Sequence, residues 1–264
     1  MNNIITFPSL GLEFNINRAM FTIGDFSVYW YGVIISLGLI LAVIYGYNEC
    51  KRISFNTDDF FNMLIIAIPV AIVCARLYYV IFSWDLYKDD ITSIIDIRSG
   101  GLAIYGGIIG AALTVIIYCT KKKIKIGIVL DMLAVGLLIG QSIGRWGNFV
   151  NGEAFGSATT LPWAMCVTSN GRQIANMVHP TFLYESLWNA LGIIVLLVYK
   201  RYKKTDGELF CAYMIWYGLG RSFIEGLRAD SLFFGAVKVS QLLSVCILIT
   251  GVIILSYLRK RSKK

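Results

Sequence analysis

The run Gly144-Arg145-Trp146-Gly147-Asn148-Phe149-Val150-Asn151-Gly152-Glu153-Ala154-Phe155-Gly156 places an arginine, two asparagines and a glutamate at the close of an apolar segment. Arg145, Asn148 and Asn151 recur at i, i+3 and i+6, so a helix would carry all three on one face. An arginine at membrane depth costs about 2.5–3.5 kcal/mol even on the lenient insertion scale. An anion such as a lipid phosphate would offset that cost. The plainer alternative is a helix end with a snorkelling arginine and two capping amides.

Arg221, Glu225 and Arg228 form a second constellation at i, i+4 and i+7, giving one helical face the order plus, minus, plus. A buried glutamate there would orient an arginine and leave net positive charge for an anionic ligand; a surface ion-pair ladder is the alternative. Tyr105 stands between Gly100-Gly101 and Gly106-Gly107, and Tyr29-Trp30-Tyr31-Gly32 opens the first apolar span as an interfacial aromatic belt would. His179-Pro180 opens another span, with proline suited to a first helical turn. Glu185 and Asn189, four apart, face inward on that helix in a hydrogen-bonding role. Arg76, deep in an apolar segment, needs a partner, for which Asp131 from another span is a candidate.

These residues must be positioned by elements that cross a membrane. Of 264 residues, 57% are hydrophobic and 15% charged, and the mean hydropathy is +0.67; a soluble domain has about 45–50% apolar and 25% charged residues. Apolar runs long enough to span a bilayer, about 20 residues each, fall at 28–48, 60–82, 101–119, 126–144, 181–199, 209–224 and 238–258. The expected fold is an all-α integral membrane protein of seven spans. It forms one polytopic domain over 1–264, with a small external region at 145–179 between spans four and five. Residues 1–27 lack a basic leader, and Asn17, Arg18, Gly24 and Asp25 interrupt their apolar pattern, so no cleavable signal peptide is expected.

The net charge of +8 is clustered, which points to membrane topology rather than a nucleic-acid groove. Lys51 and Arg52, then Lys121, Lys122, Lys123 and Lys125, then Lys200, Arg201, Lys203 and Lys204, and finally Arg259, Lys260, Arg261, Lys263 and Lys264 all follow odd-numbered spans. The positive-inside rule makes that side cytoplasmic, the N-terminus external and the C-terminus cytoplasmic. The other side carries scattered bases: Arg18, Lys88, Arg98, Arg145, Arg172, Arg221, Arg228 and Lys238. Isolated arginines beside glycines suit phosphate, because glycine admits a headgroup to the backbone and guanidinium binds phosphate through a planar fork. The six cysteines have no metal or redox spacing and read as small packing residues. A single histidine removes any multi-histidine metal site, so neither metal nor cofactor is expected.

Together these segments resemble the bacterial phosphatidylglycerol–prolipoprotein diacylglyceryl transferases. The 144–156 run is similar to that family's signature. Trp30-Tyr31-Gly32, Gly100-Gly101 with Gly106-Gly107, His179-Pro180 with Leu183-Tyr184-Glu185, and Tyr217-Gly218 with Arg221, Glu225 and Arg228 extend the resemblance over nearly the whole chain. The resemblance implies a seven-helix bundle in the bacterial cell membrane. It implies transfer of a diacylglyceryl group from phosphatidylglycerol to the lipobox cysteine of a prolipoprotein signal peptide, releasing glycerol phosphate. Arg145 and Arg221 would engage the phosphate; Asn148, Asn151, Glu153 and Gly156 would shape the site; Tyr31, Glu225 and Arg228 would support substrate binding. Many members carry histidine where Tyr105 stands. A phenol ordinarily titrates near 10 and an imidazole near 6.5, so Tyr105 would not take the thiol proton as histidine does. Electrostatic activation of the thiol, with Tyr105 as a hydrogen-bond donor, is the expected arrangement; His179 is the other candidate base. The rival functions are an anion transporter, whose arginines would reach both faces, and a lipid-binding protein without transferase activity.

Overall fold

The computed structural model describes residues 2–24, 26–97, 100–229, 233–234 and 237–262; Asp25, Arg98, Lys263 and Lys264 lie outside them. All seven expected spans are helices: α1 (Trp30–Arg52), α2 (Thr57–Phe82), α3 (Ile104–Lys122), α4 (Ile126–Asn151), α5 (Thr181–Tyr199), α6 (Glu208–Leu227) and α7 (Val239–Arg261). Six of them are long and apolar enough to cross a membrane; α6 falls short because Arg221 and Glu225 lower its hydropathy. The chain divides into two compact units, residues 1–46 with 130–264, and residues 47–129.

In the smaller unit α2 and α3 pack closely. Asn56 caps α2 by accepting from the amides of Asp58 (2.8 Å) and Asp59 (3.3 Å). Gly106 and Gly110 let α3 lie against α2, since a Cβ at Gly110 would stand 2.8 Å from that of Cys74. Among the described residues Arg76 finds no carboxylate. Its guanidinium donates to the carbonyls of Ser93, Ile94, Asp96, Gly100 and Gly101 at 2.7–3.0 Å and lies over the Tyr87 ring. The expected pairing with Asp131 is therefore replaced. Five carbonyls satisfy the fork, and the loop they belong to is held at the start of α3, where Tyr105 sits. Asp131 instead accepts from Lys203 and from the backbone amides of Gly207 and Phe210, at 2.9–3.0 Å, within the larger unit.

The larger unit adds a sheet that hydropathy did not announce. Strands β1 (Asn2–Phe7), β2 (Leu12–Asn17), β5 (Met165–Ser169) and β6 (Arg172–Val178) form one antiparallel sheet in the order β2-β1-β5-β6. A separate hairpin joins β3 (Ala19–Ile23) to β4 (Phe26–Tyr29), and a two-residue ladder pairs β7 (Phe233–Phe234) with β8 (Val237–Lys238). The connection between α4 and α5 is thus joined by the N-terminal segment, which supplies half of the sheet. Alternation in β1 sends Asn3, Ile5 and Phe7 inward. Ile5 and Phe7 join Met165, Val167, Ala175, Val178 and Phe182 in one apolar cluster, against which Phe149 and Phe155 pack. Asn3 donates to the Val150 carbonyl (2.8 Å) and so docks the sheet on the end of α4.

That end lies further on than the apolar run suggested. Helix α4 continues seven residues past Gly144 and stops at Gly152, whose φ of +64° is the left-handed turn that ends a helix. A Cβ at Gly152 would also meet Val167 at 2.9 Å. Arg145, Asn148 and Asn151 therefore ride on the last two turns of a helix, with Glu153 and Gly156 in the segment just after it.

Candidate active site

Three helices bring their charged turns together. Arg145 comes from the last two turns of α4, Glu185 from the second turn of α5, and Arg221 and Glu225 from the end of α6, with Arg228 just beyond it. Glu185 is the hub. Its Oε2 meets Arg145 Nη2 at 2.7 Å, and its Oε1 accepts from Arg221 Nη1 at 2.9 Å and faces Arg228 Nη1 at 3.7 Å. Glu225 Oε2 takes the other edge of Arg221 at 2.6 Å and lies 3.9 Å from Arg228 Nε. Three guanidiniums thus gather around two carboxylates in a buried setting. The Glu185 and Glu225 side chains are 7% and 2% exposed, against 25% for Arg145, the most accessible member. Burying one of these arginines without its carboxylate would cost several kcal/mol, so the acids are what allow the cations to stay.

Packing fixes the fork of Arg221. The indoles of Trp188 (α5) and Trp216 (α6) stack at 4.4 Å, and each donates to the other's carbonyl, at 3.1 and 3.0 Å. Gly192 faces the Trp216 ring, and Gly220, beside Arg221, faces the Trp188 ring, in both cases too closely for a Cβ. Helix α6 is also seated on α7, where a Cβ at Gly218 would stand 2.6 Å from the Ser244 carbonyl.

Around Arg145 the asparagines share a helix face as their spacing predicts. Arg145 Nη1 donates to Asn148 Oδ1 at 3.3 Å, while the amides of Asn148 and Asn151 both donate to Glu153 Oε1, at 3.1 and 3.2 Å. Tyr31, at the start of α1, lays its ring against Gly147, where a Cβ would stand 2.8 Å from it. Gly156 does not itself present a functional group. Its amide donates to the His179 carbonyl (2.9 Å), and a Cβ would stand 2.6 Å from His179 Cβ and 2.9 Å from the Leu227 carbonyl. With Ser157 donating to Leu227 O at 2.7 Å, this segment laces the start of α5 to the end of α6 and sets the position of Arg228.

The two candidate bases have different surroundings. Tyr105 belongs to the smaller unit, at the first turn of α3, exposed and 6.5 Å ring to ring from Tyr78. His179 Nδ1 lies 3.2 Å from the Tyr184 hydroxyl, which accepts from Trp163 Nε1 at 2.6 Å.

Sequence reasoning passed over two contributors. Glu185 was assigned only a hydrogen-bonding role; its signal was that a lone acid on an apolar helix has to meet a cation. Arg18, which donates to the Asn151 carbonyl at 2.8 Å and so caps α4, gave no signal beyond its charge.

A family profile described as prolipoprotein diacylglyceryl transferase matches residues 18–257. Phosphatidylglycerol–prolipoprotein diacylglyceryl transferases from three bacteria align over most of their lengths. The Clostridioides difficile protein is 43% identical over 248 residues, which is 94% of this chain and 98% of that one. The Finegoldia magna protein is 48% identical over 240 residues, covering 90% and 94%. The Listeria monocytogenes protein is 46% identical over 245 residues, covering 90% and 88%. With its apolar helices, its paired arginines and a match that runs from just before β3 into α7, the chain belongs to the prolipoprotein diacylglyceryl transferase family and is a multi-pass membrane transferase.

Proposed function

We propose that this protein moves the diacylglyceryl group of phosphatidylglycerol onto the lipobox cysteine of prolipoprotein signal peptides. The names of its relatives give the lipid and the acceptor class. The observation that carries the reading to this chain is the gathering of the Arg145, Arg221 and Arg228 guanidiniums around Glu185. The peptide thiolate attacks the glyceryl carbon bonded to the phosphate ester oxygen. A C–S bond forms, the C–O bond breaks, and its electron pair leaves on glycerol phosphate. Arg145 and Arg221 hold the charge that grows on that phosphate. The same field favours the thiolate over the thiol, and the thiol proton passes to solvent. Glu185 and Glu225 aim the guanidiniums; Asn148, Asn151 and Glu153 order the rim beside Arg145; Tyr31 and Arg228 border the lipid headgroup. Tyr105 donates a hydrogen bond to lipid or phosphate.

Residues 1–264 act as one polytopic domain of the bacterial cell membrane. Its N-terminus and the 145–179 region are external, its C-terminus is cytoplasmic, and its active site faces outward. Both substrates enter sideways from the bilayer, since neither a lipid nor an apolar signal peptide crosses water readily. Incubating the purified protein with phosphatidylglycerol vesicles and a lipobox peptide should add one diacylglyceryl mass to the peptide cysteine. A peptide that binds but gains no mass leaves the non-catalytic lipid-binding reading instead.

A further inference from the structure

The opposite end of α6 carries a feature that the transfer reaction does not use. Glu208 and Arg221 are thirteen residues apart on that helix, which is about 20 Å of rise. Beside Glu208 lies a cavity of about 380 Å³ lined by Lys204, Ser256, Arg259 and Lys260. Arg259 is fixed there: its guanidinium donates to the Tyr199 hydroxyl at 2.8 Å and to Glu208 Oε2 at 3.4 Å. Lys203, next along the chain, is committed to Asp131 at 2.9 Å. Lys204 and Lys260 make no ion pair among the described residues. The cavity therefore holds three cations, of which one is compensated.

A second cavity, of about 200 Å³, adjoins the first and is almost wholly apolar. It is lined by Val195, Leu196 and Tyr199 of α5, Ala212, Ile215 and Trp216 of α6, and Leu255 of α7. Their linings have no residue in common but are in contact. Tyr199 borders the apolar groove and its hydroxyl accepts from Arg259 of the basic cavity, and Leu255 of the groove precedes Ser256 of the cavity on α7. A basic helix end alone is what membrane orientation requires. A basic cavity beside an apolar groove between three helices is a different object, with room for a phosphate at one end and a hydrocarbon chain at the other.

We propose that this end of α5, α6 and α7 binds an anionic phospholipid of the cytoplasmic leaflet, with its phosphate among Lys204, Arg259 and Lys260 and one acyl chain beside Leu255 and Trp216. The site lies a helix length from the arginine cluster, so its lipid is a bound companion and not the lipid consumed. Native mass spectrometry of the full chain in detergent tests this, with phosphatidic acid, phosphatidylcholine or inorganic phosphate as the added probe. The double variant Lys204→Gln/Lys260→Gln should retain phosphatidic acid about 10-fold less than the parent protein, and Leu255→Trp, which fills the groove, should do the same. Phosphatidylcholine should be held weakly by all three proteins. Transfer from phosphatidylglycerol should be unchanged in the double variant. Equal retention of phosphatidic acid by the parent and the double variant would overturn the proposal. Inorganic phosphate held as tightly as the lipid, with Leu255→Trp silent, would overturn it in favour of a free-phosphate site.

Discussion

At Glu185 two carboxylate oxygens face three guanidiniums from two other segments, so the position of every arginine depends on one acid. Removing one partner of a buried charge cluster leaves the others uncompensated, at a cost of about 3–5 kcal/mol. Glu185→Gln should lower the thermal unfolding temperature in detergent and slow transfer; unchanged stability would mean that Glu185 is not the hub. The arginines themselves are tested by charge-preserving replacement. Arg145→Lys and Arg221→Lys should fold, yet each should lose about 100–1000-fold in transfer rate, because lysine has the charge without the planar fork. Near-normal turnover in both would remove the bidentate role. Tyr105 is tested by its pH–rate profile. As a hydrogen-bond donor, Tyr105→Phe slows transfer and leaves the pH dependence set by the thiol. A loss near the top of the range of about 100–10,000-fold expected for a general base, with one ionisation gone from the profile, would make the phenolate the base instead. Tyr105→His should stay active on either mechanism.

Between residues and fold, helix α6 does two jobs that pull against each other: it is buried in the bundle and carries the paired charges at its end. It manages both because Gly218 and Gly220 let it approach α7 and the Trp188–Trp216 pair closely. Gly220→Ala would push a Cβ into the Trp188 ring. Overpacking of that kind costs about 1–3 kcal/mol, and here the displaced backbone carries Arg221. Near-UV circular dichroism should show the tryptophan pair disturbed, with a fall in transfer rate; an unaltered spectrum with full activity would show that the contact does not set Arg221. The glycine-flanked start of α3 is governed differently, by Arg76 gathering five carbonyls of the preceding loop.

Over the whole molecule, alternation of seven helices and the placement of basic residues must agree. The N-terminal segment and the α4–α5 connection are joined in one sheet, with Asn170 N–H donating to the Asn2 carbonyl at 3.0 Å. They therefore lie on the same face of the membrane, as four crossings between them require. Lys203 and Thr205, which cap α6 with Asp131 and Glu208, belong to the basic turn between α5 and α6. With the native cysteines replaced, a cysteine at position 170 should react with a membrane-impermeant reagent in intact cells and one at 205 should not. The reverse pattern would invert the topology.

Hydropathy marked the seven helices, six of them apolar enough to cross a bilayer, because about twenty apolar residues in a row have few stable settings outside one. Charge asymmetry supplied an orientation, and the spacing of Arg145, Asn148 and Asn151 and of Arg221, Glu225 and Arg228 put each set on a helix face. Three things depended on tertiary structure. The sheet was illegible because β1 and β2 are short and β1 finds its second partner about 160 residues away in β5, a pairing that local pattern does not encode. Helix α4 ran past its apolar segment because Glu185, from another helix, neutralises the arginine that ends the hydropathy run. The partners of Arg76 and Asp131 were exchanged for backbone groups and Lys203, because a buried charge is satisfied by whatever donors or acceptors packing brings within reach.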